Sequence, residues 1–176
     1  NADNQADRNP MVVSDNAGTW MAVWDSAANL NGALGNDQDI LFTRSLDNGA
    51  TWASPLPVNN NATNDNSSDF GPALATDAQG NWVAVWTAQG SITYGNDFDV
   101  LTARSSDNGL TWSAPISLKS TATTDMRDDF DPEIATDGLG HWIAVWFSND
   151  DLNNTIGNDD DILISHSFDN GASWTA

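Results

Sequence analysis

The sequence predicts an all-β fold, a β-propeller built from four-stranded blades with three blades in the chain. Three observations lead to this prediction. The sequence repeats itself three times, each repeat contains short apolar stretches of the kind that form strands, and the composition is poor in helix formers. Asp, Asn, Gly and Thr are abundant and favour turns and strands, whereas Glu133 is the only Glu. We therefore expect almost no helix.

Three motifs recur in each repeat. The octet SLDNGATW begins at Ser45 and returns as SSDNGLTW from Ser105 and as SFDNGASW from Ser167, so the period is 60 residues and then 62. A segment that ends in AVW precedes the octet in each repeat, and a Gly-Asn-Asp-x-Asp element lies between the two. The repeats fill the chain, which predicts one propeller unit over residues 1–176. Its blades are predicted at about 9–58, 71–118 and 131–176.

The first repeat shows how a unit divides into four strands. They are predicted at residues 11–15, 19–25, 39–46 and 51–58. In the second of these strands Trp20 and Trp24 point to one face while Met21 and Val23 point to the other, so both faces are apolar and both must be covered. Sheets stacked face to face around an axis meet that requirement. A linear β-solenoid is the competing architecture, although its repeats are usually much shorter.

Composition and charge exclude several classes of partner. Lys and Arg number 5 against 25 Asp and Glu, and the formal net charge of −20 repels nucleic-acid phosphates and anionic membranes. Without Cys, disulfides and thiolate metal sites are excluded. No apolar run approaches the roughly 20 residues that span a bilayer. The chain begins without Met or a signal peptide, and we expect a mature or excised product.

The octet is similar to the Asp-box, or bacterial neuraminidase repeat, of sialidases and many other secreted propeller proteins. This resemblance implies a sialidase-like β-propeller, an extracellular or periplasmic location, and a structural role for the box between the third and fourth strands. The residue types agree, because Asp can accept hydrogen bonds from turn amides, Gly allows a positive φ, and Trp can pack the hairpin onto the blade. The residues given this role are Asp47, Gly49, Trp52, Asp107, Gly109, Trp112, Asp169, Gly171 and Trp174.

Long connections link the second strand to the third and the fourth strand to the next unit, and strand direction places them all on one rim. Function is expected on this long-loop rim. Its matched carboxylates suggest a Ca²⁺ site, since Ca²⁺ takes six to eight oxygen ligands. The alternative is that they bind turn amides or face water, and Asp-rich surfaces also arise in saline habitats. The candidate ligands are Asp3, Asp7, Asp37, Asp39, Asp65, Asp69, Asp97, Asp99, Asp125, Asp129, Asp159 and Asp161.

Sialidase-like catalysis is the enzymatic alternative. The resemblance implies an arginine triad that binds a carboxylate, a Tyr with a Glu partner as nucleophile, and an Asp acid/base that usually follows Arg-Ile-Pro. Tyr94 and Glu133 are weak candidates for the pair, and residues 8–10 (Arg-Asn-Pro) resemble the last element only faintly because the Pro belongs to the repeat. A pair of Asp carboxylates could also support generic glycoside hydrolysis.

Other polar residues offer little to catalysis. Arg44 and Arg104 align with each other and with His166 near the opposite rim, where we expect their stems to pack across the blade. His141 occupies a turn position, where a solvated side chain is expected. No phosphate-binding Gly loop, nucleophile elbow or zinc motif is present.

Three blades are too few to close a ring, because propellers close with about four to eight. We therefore expect either a two-fold homodimer that forms a six-bladed ring or one half of a six-bladed chain, and an isolated monomer of low stability. The predicted function is a non-catalytic binding or scaffold module for a glycan or a cation. The alternatives are an exo-sialidase-like glycoside hydrolase and a repeat fragment or reconstructed propeller without a ligand. Tyr94, Phe70 and Phe130 are candidates for stacking on sugars, although core packing explains the two Phe equally well.

Overall fold

The computed structural model describes residues 5–30, 32, 34–63, 66–90, 95–152, 155–157 and 159–175. Within these ranges every regular element is a strand, so the all-β prediction is confirmed. The strands are β1 (Asp7–Ser14), β2 (Trp20–Ser26), β3 (Asp39–Ser45), β4 (Leu56–Pro57), β5 (Ser68–Thr76), β6 (Trp82–Gln89), β7 (Phe98–Ser105), β8 (Ile116–Ser117), β9 (Asp129–Thr136), β10 (Trp142–Ser148) and β11 (Asp161–Ser167).

These strands form three antiparallel sheets in chain order. The first sheet runs β1-β2-β3-β4, the second runs β5-β6-β7-β8, and the third contains β9, β10 and β11 with β10 in the middle. Each sheet therefore comes from one sequence repeat. The first strands lie side by side, β1 beside β5 and β5 beside β9, so they form the inner edge of the stack.

The fourth strand of the first unit is much shorter than the predicted 51–58, and its counterpart β8 in the second unit is equally short. In the first unit Leu56 and Pro57 pair with β3, and backbone hydrogen bonds from Ala53 to Arg44 O (2.9 Å) and from Val58 to Ile40 O (2.7 Å) flank this pairing. Pro55 lies between these contacts and has no N–H to donate, which interrupts the ladder. In the third unit Thr175 donates the matching bond to His166 O (2.8 Å), so the chain enters the path of a fourth strand there.

The first strand of each unit begins earlier than predicted because it contains a β-bulge. A residue with positive φ stands before a proline in all three units: Asn9 (49°), Gly71 (61°) and Asp131 (48°). The pairing register of the strand shifts at this point in each sheet. Proline cannot donate to the ladder and the left-handed residue turns the backbone, so the bulge separates a rim segment from the inner segment of the strand.

Apolar side chains hold the sheets face to face. Between the first and second sheets, Met21, Val23 and Ile40 pack in one cluster with Trp82 and Trp86. Trp82 and Trp86 have no solvent-exposed surface. A second cluster joins the other face of the second sheet to the third sheet and includes Val85, Val100, Leu118, Ala144 and Trp146. The second sheet is thus covered on both faces, as the apolar pattern of its central strand predicts.

The repeated octet forms a closed network of hydrogen bonds after the third strand. In the first unit Asp47 Oδ1 accepts hydrogen bonds from Thr51 N (2.8 Å) and from Ser45 Oγ (2.7 Å), and Oδ2 accepts one from Thr51 Oγ1 (2.6 Å). Ser45 Oγ in turn accepts a bond from Gly49 N (2.9 Å), and Trp52 Nε1 donates to Gly49 O (3.1 Å). Asn48 and Gly49 both have positive φ. The turn is therefore fixed by side-chain bonds within the octet itself.

The same bonds favour the charged form of the Asp in each octet. The Thr51 hydroxyl and amide hold the pKa of Asp47 at about 2, and Ser173 does the same for Asp169. At Asp107 burial acts to raise the pKa, but the hydrogen bonds from Thr111 outweigh it and lower the pKa to about 2. The carboxylate thus acts as an ionised acceptor that closes the turn.

We expect Asp107→Ala to destabilise the chain, because it leaves the amides and hydroxyl of the turn without their acceptor. Loss of several hydrogen bonds at a half-buried turn costs about 1–2 kcal/mol of the free energy of unfolding, or roughly 2–8 °C in Tm for a chain of this size. Thermal denaturation followed by circular dichroism measures the change. Asp160→Ala removes an exposed acid and serves as the control. Equal Tm values for the two variants would contradict this role of the octet.

Candidate functional site

A groove of about 570 Å³ opens where the three bulged strands meet on the long-loop rim. Each first strand contributes the residue before its proline, the proline itself and the residue that follows it, which are residues 9–11, 71–73 and 131–133. Glu133 is exposed and lies in this groove, together with Asp131. Tyr94, its candidate catalytic partner, lies outside the described residues. The groove therefore contains one of the two predicted catalytic residues.

The arginines are distributed away from this groove, with one exception. Arg8 is exposed on β1, next to the groove and opposite Asp25 in the β1–β2 pairing. Arg44 donates from Nη1 to Asn108 O (3.0 Å) and so joins the first sheet to the octet turn of the second. Arg104 lies beside the octet glycine of the third unit, and Arg127 pairs with Asp151 (3.3 Å). No group of three arginines surrounds the groove in the described part of the chain.

Lys119, the only lysine, forms ion pairs with carboxylates of the third unit and of the loop that leads to it. Its Nζ lies 2.9 Å from Asp125 Oδ2, 2.8 Å from Asp150 Oδ2 and 3.4 Å from Asp129 Oδ2. Burial opposes charge on this amine, but its hydrogen bonds to Asp150 and Asp125 raise the pKa of Lys119 further above its usual range. The amine therefore fixes the loop after β8 to the third sheet. Sequence reasoning missed Lys119, although it is the chain's only Lys.

Asn59 occupies the corresponding position in the first unit. Its Nδ2 donates to Asp39 Oδ1 (3.0 Å) and to Asp69 Oδ2 (2.9 Å), so it joins an acid of the first sheet to one of the second. Asn59, Asp39 and Asp69 are all buried. Burial raises the pKa of Asp39 to about 6. A neutral amide thus makes the link here that a charged amine makes at Lys119.

Asp99 is the most unusual acid of the rim. It is 1% exposed, and neither of its carboxyl oxygens has a hydrogen-bond partner among the described residues. Burial raises its pKa to about 8, with further contributions from the negative charges of Asp97 and Asp129. Burial also raises the pKa of Asp129 to about 6. Asp99 of the second unit and Asp129 of the third are therefore acids whose charged form is disfavoured by burial, and of the two only Asp129 contacts Lys119.

Some candidate metal ligands bind neighbouring donors instead. Asp7 accepts hydrogen bonds from Trp24 Nε1 (3.2 Å) and Ser26 Oγ, and Asp129 accepts one from Trp146 Nε1 (3.2 Å). In the described ranges no three His, Cys, Asp or Glu side chains are grouped to hold a metal ion. The remaining candidate ligands differ in how far they are buried. Asp37, Asp97, Asp125 and Asp161 are half-buried, Asp159 is exposed, and Asp3 and Asp65 lie outside the described residues.

Four half-buried phenylalanines form a row that crosses the second and third sheets at this rim. The ring centroids are 5.8 Å apart for Phe70 and Phe98, 4.6 Å for Phe98 and Phe130, and 5.3 Å for Phe130 and Phe147. Sequence reasoning named Phe70 and Phe130 as candidates for stacking. It missed Phe98 and Phe147, although Phe98 stands between the two acids of the Gly-Asn-Asp-x-Asp element.

The pKa values of the buried acids predict how stability changes with pH. A raised pKa in the folded state contributes stability below the unfolded value near 3.8, and this contribution is lost as pH rises through about 8 for Asp99 and about 6 for Asp39 and Asp129. The octet acids act in the opposite sense and titrate near pH 2, outside this window.

We therefore expect Tm to be several degrees lower at pH 8.5 than at pH 5.5, measured with EDTA present. Asp99→Asn removes the charge of the acid with the highest pKa of the three and should reduce this difference. Asp160→Asn, a change at an exposed acid, is the control. A Tm that rises over the same pH range would contradict the assignment.

Comparison with known proteins places this geometry in context. No protein-family model matches the chain. A curated sialidase of Bacteroides fragilis (strain YCH46) is 30% identical over 130 residues, which cover 63% of this chain and 24% of the relative. The chain thus spans about a quarter of the length of that relative.

No helix in the described part of the chain is long and apolar enough to cross a membrane.

Solved structures of sialidases superpose on this chain. The Hadza microbial sialidase Hz136 superposes with a TM-score of 0.68 at 21% identity, covering 96% of this chain and 36% of that one. A Trypanosoma rangeli sialidase in complex with sialic acid superposes with a TM-score of 0.61 at 18% identity, covering 97% and 30%. The resemblance suggested by the repeated octet is thereby confirmed for the fold. The chain has the sialidase-like β-propeller fold and is related in sequence to a sialidase.

Proposed function

We propose that this chain is a non-catalytic sialidase-like propeller module that binds glycans on its long-loop rim, outside the cytoplasm. The observation that carries the proposal is the row of Phe70, Phe98, Phe130 and Phe147. Half-buried rings offer flat apolar surface at little entropic cost, since packing already holds them. Such a surface suits the apolar face of a sugar ring.

Polar groups next to the row complete the proposed surface. Phe70 and Phe130 immediately precede Gly71 and Asp131, which line the groove, and Glu133 is exposed in it. Binding sites for small polar ligands combine apolar or aromatic walls with a few hydrogen-bonding groups. Carboxylates accept hydrogen bonds from hydroxyls, so Asp131 and Glu133 suit a neutral sugar. Their negative charge disfavours a ligand that carries a carboxylate of its own.

The positions of the arginines favour binding over sialidase catalysis. Arg44 contacts the octet turn of the next unit, and Arg127 pairs with Asp151. Only Arg8 adjoins the groove, so this chain offers one cation where the resemblance implies three. The sugar named for the Trypanosoma rangeli structure supports a glycan ligand for the fold, and the function of this chain remains our proposal.

The row predicts which substitutions weaken glycan binding. The full chain is screened on a glycan array, and Kd is then measured by calorimetry for the strongest neutral glycan. We expect Phe98→Ala to weaken binding about tenfold, since an aromatic contact contributes about 1 kcal/mol or more. Phe168→Ala removes an exposed ring beside His141 and His166, far from the row, and should leave Kd unchanged. Equal effects of the two variants, or an array without binding, would contradict the proposal.

The same chain tests the enzymatic alternative. A fluorogenic sialoside and a panel of simple glycosides are incubated with it, and we expect no turnover. Turnover that disappears in Glu133→Gln would replace the binding proposal with a glycoside hydrolase, in which Glu133 acts in the groove. The absence of both turnover and glycan binding would favour the third alternative, a structural repeat unit without a ligand.

Calcium binding at the acidic rim is a second candidate function. Its supporting observation is Asp99, whose two buried oxygens have no hydrogen-bond donor among the described residues. Asp97, Asp129 and Asp125 act on it electrostatically, although they are not grouped with it as metal ligands in this structure. A hard cation would satisfy such oxygens. Lys119 is its competitor, since the amine already contacts two of these acids.

If Ca²⁺ binds here, Tm rises in millimolar CaCl₂ relative to EDTA, because a ligand of the folded state stabilises it. We expect Asp99→Asn to remove that rise, whereas Asp160→Asn should retain it. An unchanged Tm in the unmodified chain would retire the calcium proposal and leave Lys119 as the cation of this cluster.

A further inference from the structure

The outermost sheets each present an apolar face to solvent. On the third sheet Ile143, Ile162 and Ile164 are 41%, 73% and 51% exposed. On the first sheet Val12 is 55% exposed, and Trp20 and Trp24 are only half-buried. Large apolar side chains that are exposed together on one face of a sheet are typical of an interaction site. We call these surfaces the isoleucine face (Ile143, Ile162, Ile164) and the tryptophan face (Val12, Trp20, Trp24).

The repeats show what each face is built to contact. In the aligned repeats, Ile143 and Ile162 correspond to Met21 and Ile40, which pack against the second sheet. The tryptophan face corresponds to the other side of that same junction. Its residues Val12, Trp20 and Trp24 align with Leu74, Trp82 and Trp86. One chain therefore carries both halves of a junction that it already makes internally.

The octet glycines provide an independent observation. A Cβ on Gly109 would collide with Met21 Cε of the preceding sheet, and one on Gly171 would lie 2.8 Å from Val83 Cγ2 of its preceding sheet. At Gly49 no atom of the residues that the structure describes lies within 4 Å of the same position. Met21 and Val83 align with Ile143. The repeat thus predicts that the Ile143 side chain of another sheet belongs against Gly49.

The octet tryptophans agree with the glycines. Trp112 makes an edge-to-face contact with Phe42 of the preceding sheet, with ring centroids 5.6 Å apart, and Trp174 packs on the cluster that joins the second and third sheets. Trp52 is 43% exposed. In the two internal junctions the Trp of one sheet covers the sheet before it. Trp52 occupies the equivalent position and is free to make the same contact with a further sheet.

We propose that a second copy of this chain docks on both faces, with the isoleucine face of each copy against the tryptophan face of the other. A two-fold axis generates two such junctions from one pair of surfaces, and the six sheets then form a closed ring. The occupant follows from continuity with the internal junctions, which unite the same residue positions. Because each chain carries a formal charge of −20, association should strengthen as salt screens the repulsion.

The mass of the full chain in solution tests this proposal. Light scattering after size exclusion, in 0.15 M and 0.5 M salt, should give twice 18.8 kDa, with more dimer at the higher salt. Ile164→Asp places a charge on the isoleucine face and should give a monomer. Leu139→Asp changes an exposed apolar residue in a turn of the third unit (81% exposed) and should leave the dimer intact. Circular dichroism of each variant checks that the strands are retained.

Tryptophan fluorescence gives a second measurement. Dilution of the unmodified chain should shift the emission to longer wavelength as Trp20, Trp24 and Trp52 become exposed, and folded Ile164→Asp should show that emission at every concentration. A folded monomer at about 100 μM, a dimer that tolerates Ile164→Asp, or a ladder of larger open assemblies would overturn the proposal.

Discussion

Burial of the middle strands from both sides is the constraint on which the rest of the structure depends. A strand such as Trp82–Gln89 has large apolar residues on both faces, and a single sheet exposes one of them to water. Stacking the sheets resolves this, because the Met and Ile side of one sheet covers the Trp side of the next. Burial of a Trp removes about 150–250 Å² of surface from water, so these contacts dominate the energy of the stack.

Polar contacts set the geometry of that stack at its two rims. On the short-loop rim Arg44 reaches the octet turn of the next unit, and Trp82 Nε1 donates to Asn108 Oδ1 (3.1 Å) of its own unit's turn. On the long-loop rim Asn59 and Lys119 tie each exit loop to the sheet that follows. Apolar packing is tolerant of sliding, whereas these directional contacts are not. Together they fix the angle between neighbouring sheets and hence the shape of the groove at the bulged strands.

The sequence was sufficient to predict features that depend on one repeat at a time. The two-sided apolar pattern identified the central strands, and the octet identified a turn whose Asp accepts hydrogen bonds from its own segment. Features that depend on contacts between repeats were harder to predict. Lys119 acquires its partners only when the third sheet brings Asp150 close, and the phenylalanine row joins residues separated by a whole unit. The positive φ before each proline also escaped prediction, because that residue is Asn, Gly or Asp in turn and is ordinarily extended there.

The links on the long-loop rim make the two seams between sheets chemically different, although the repeats look interchangeable. Lys119 requires Asp150, and the aligned position in the second unit is Gly90. A lysine at residue 59 would therefore lack one of its counter-ions, while an asparagine at residue 119 would leave three carboxylates without a cation. The polar contacts of each seam are therefore matched to its own neighbour. A few rim side chains thus favour one order of the units. If the units were shuffled, the apolar packing between sheets would be retained more readily than these rim contacts.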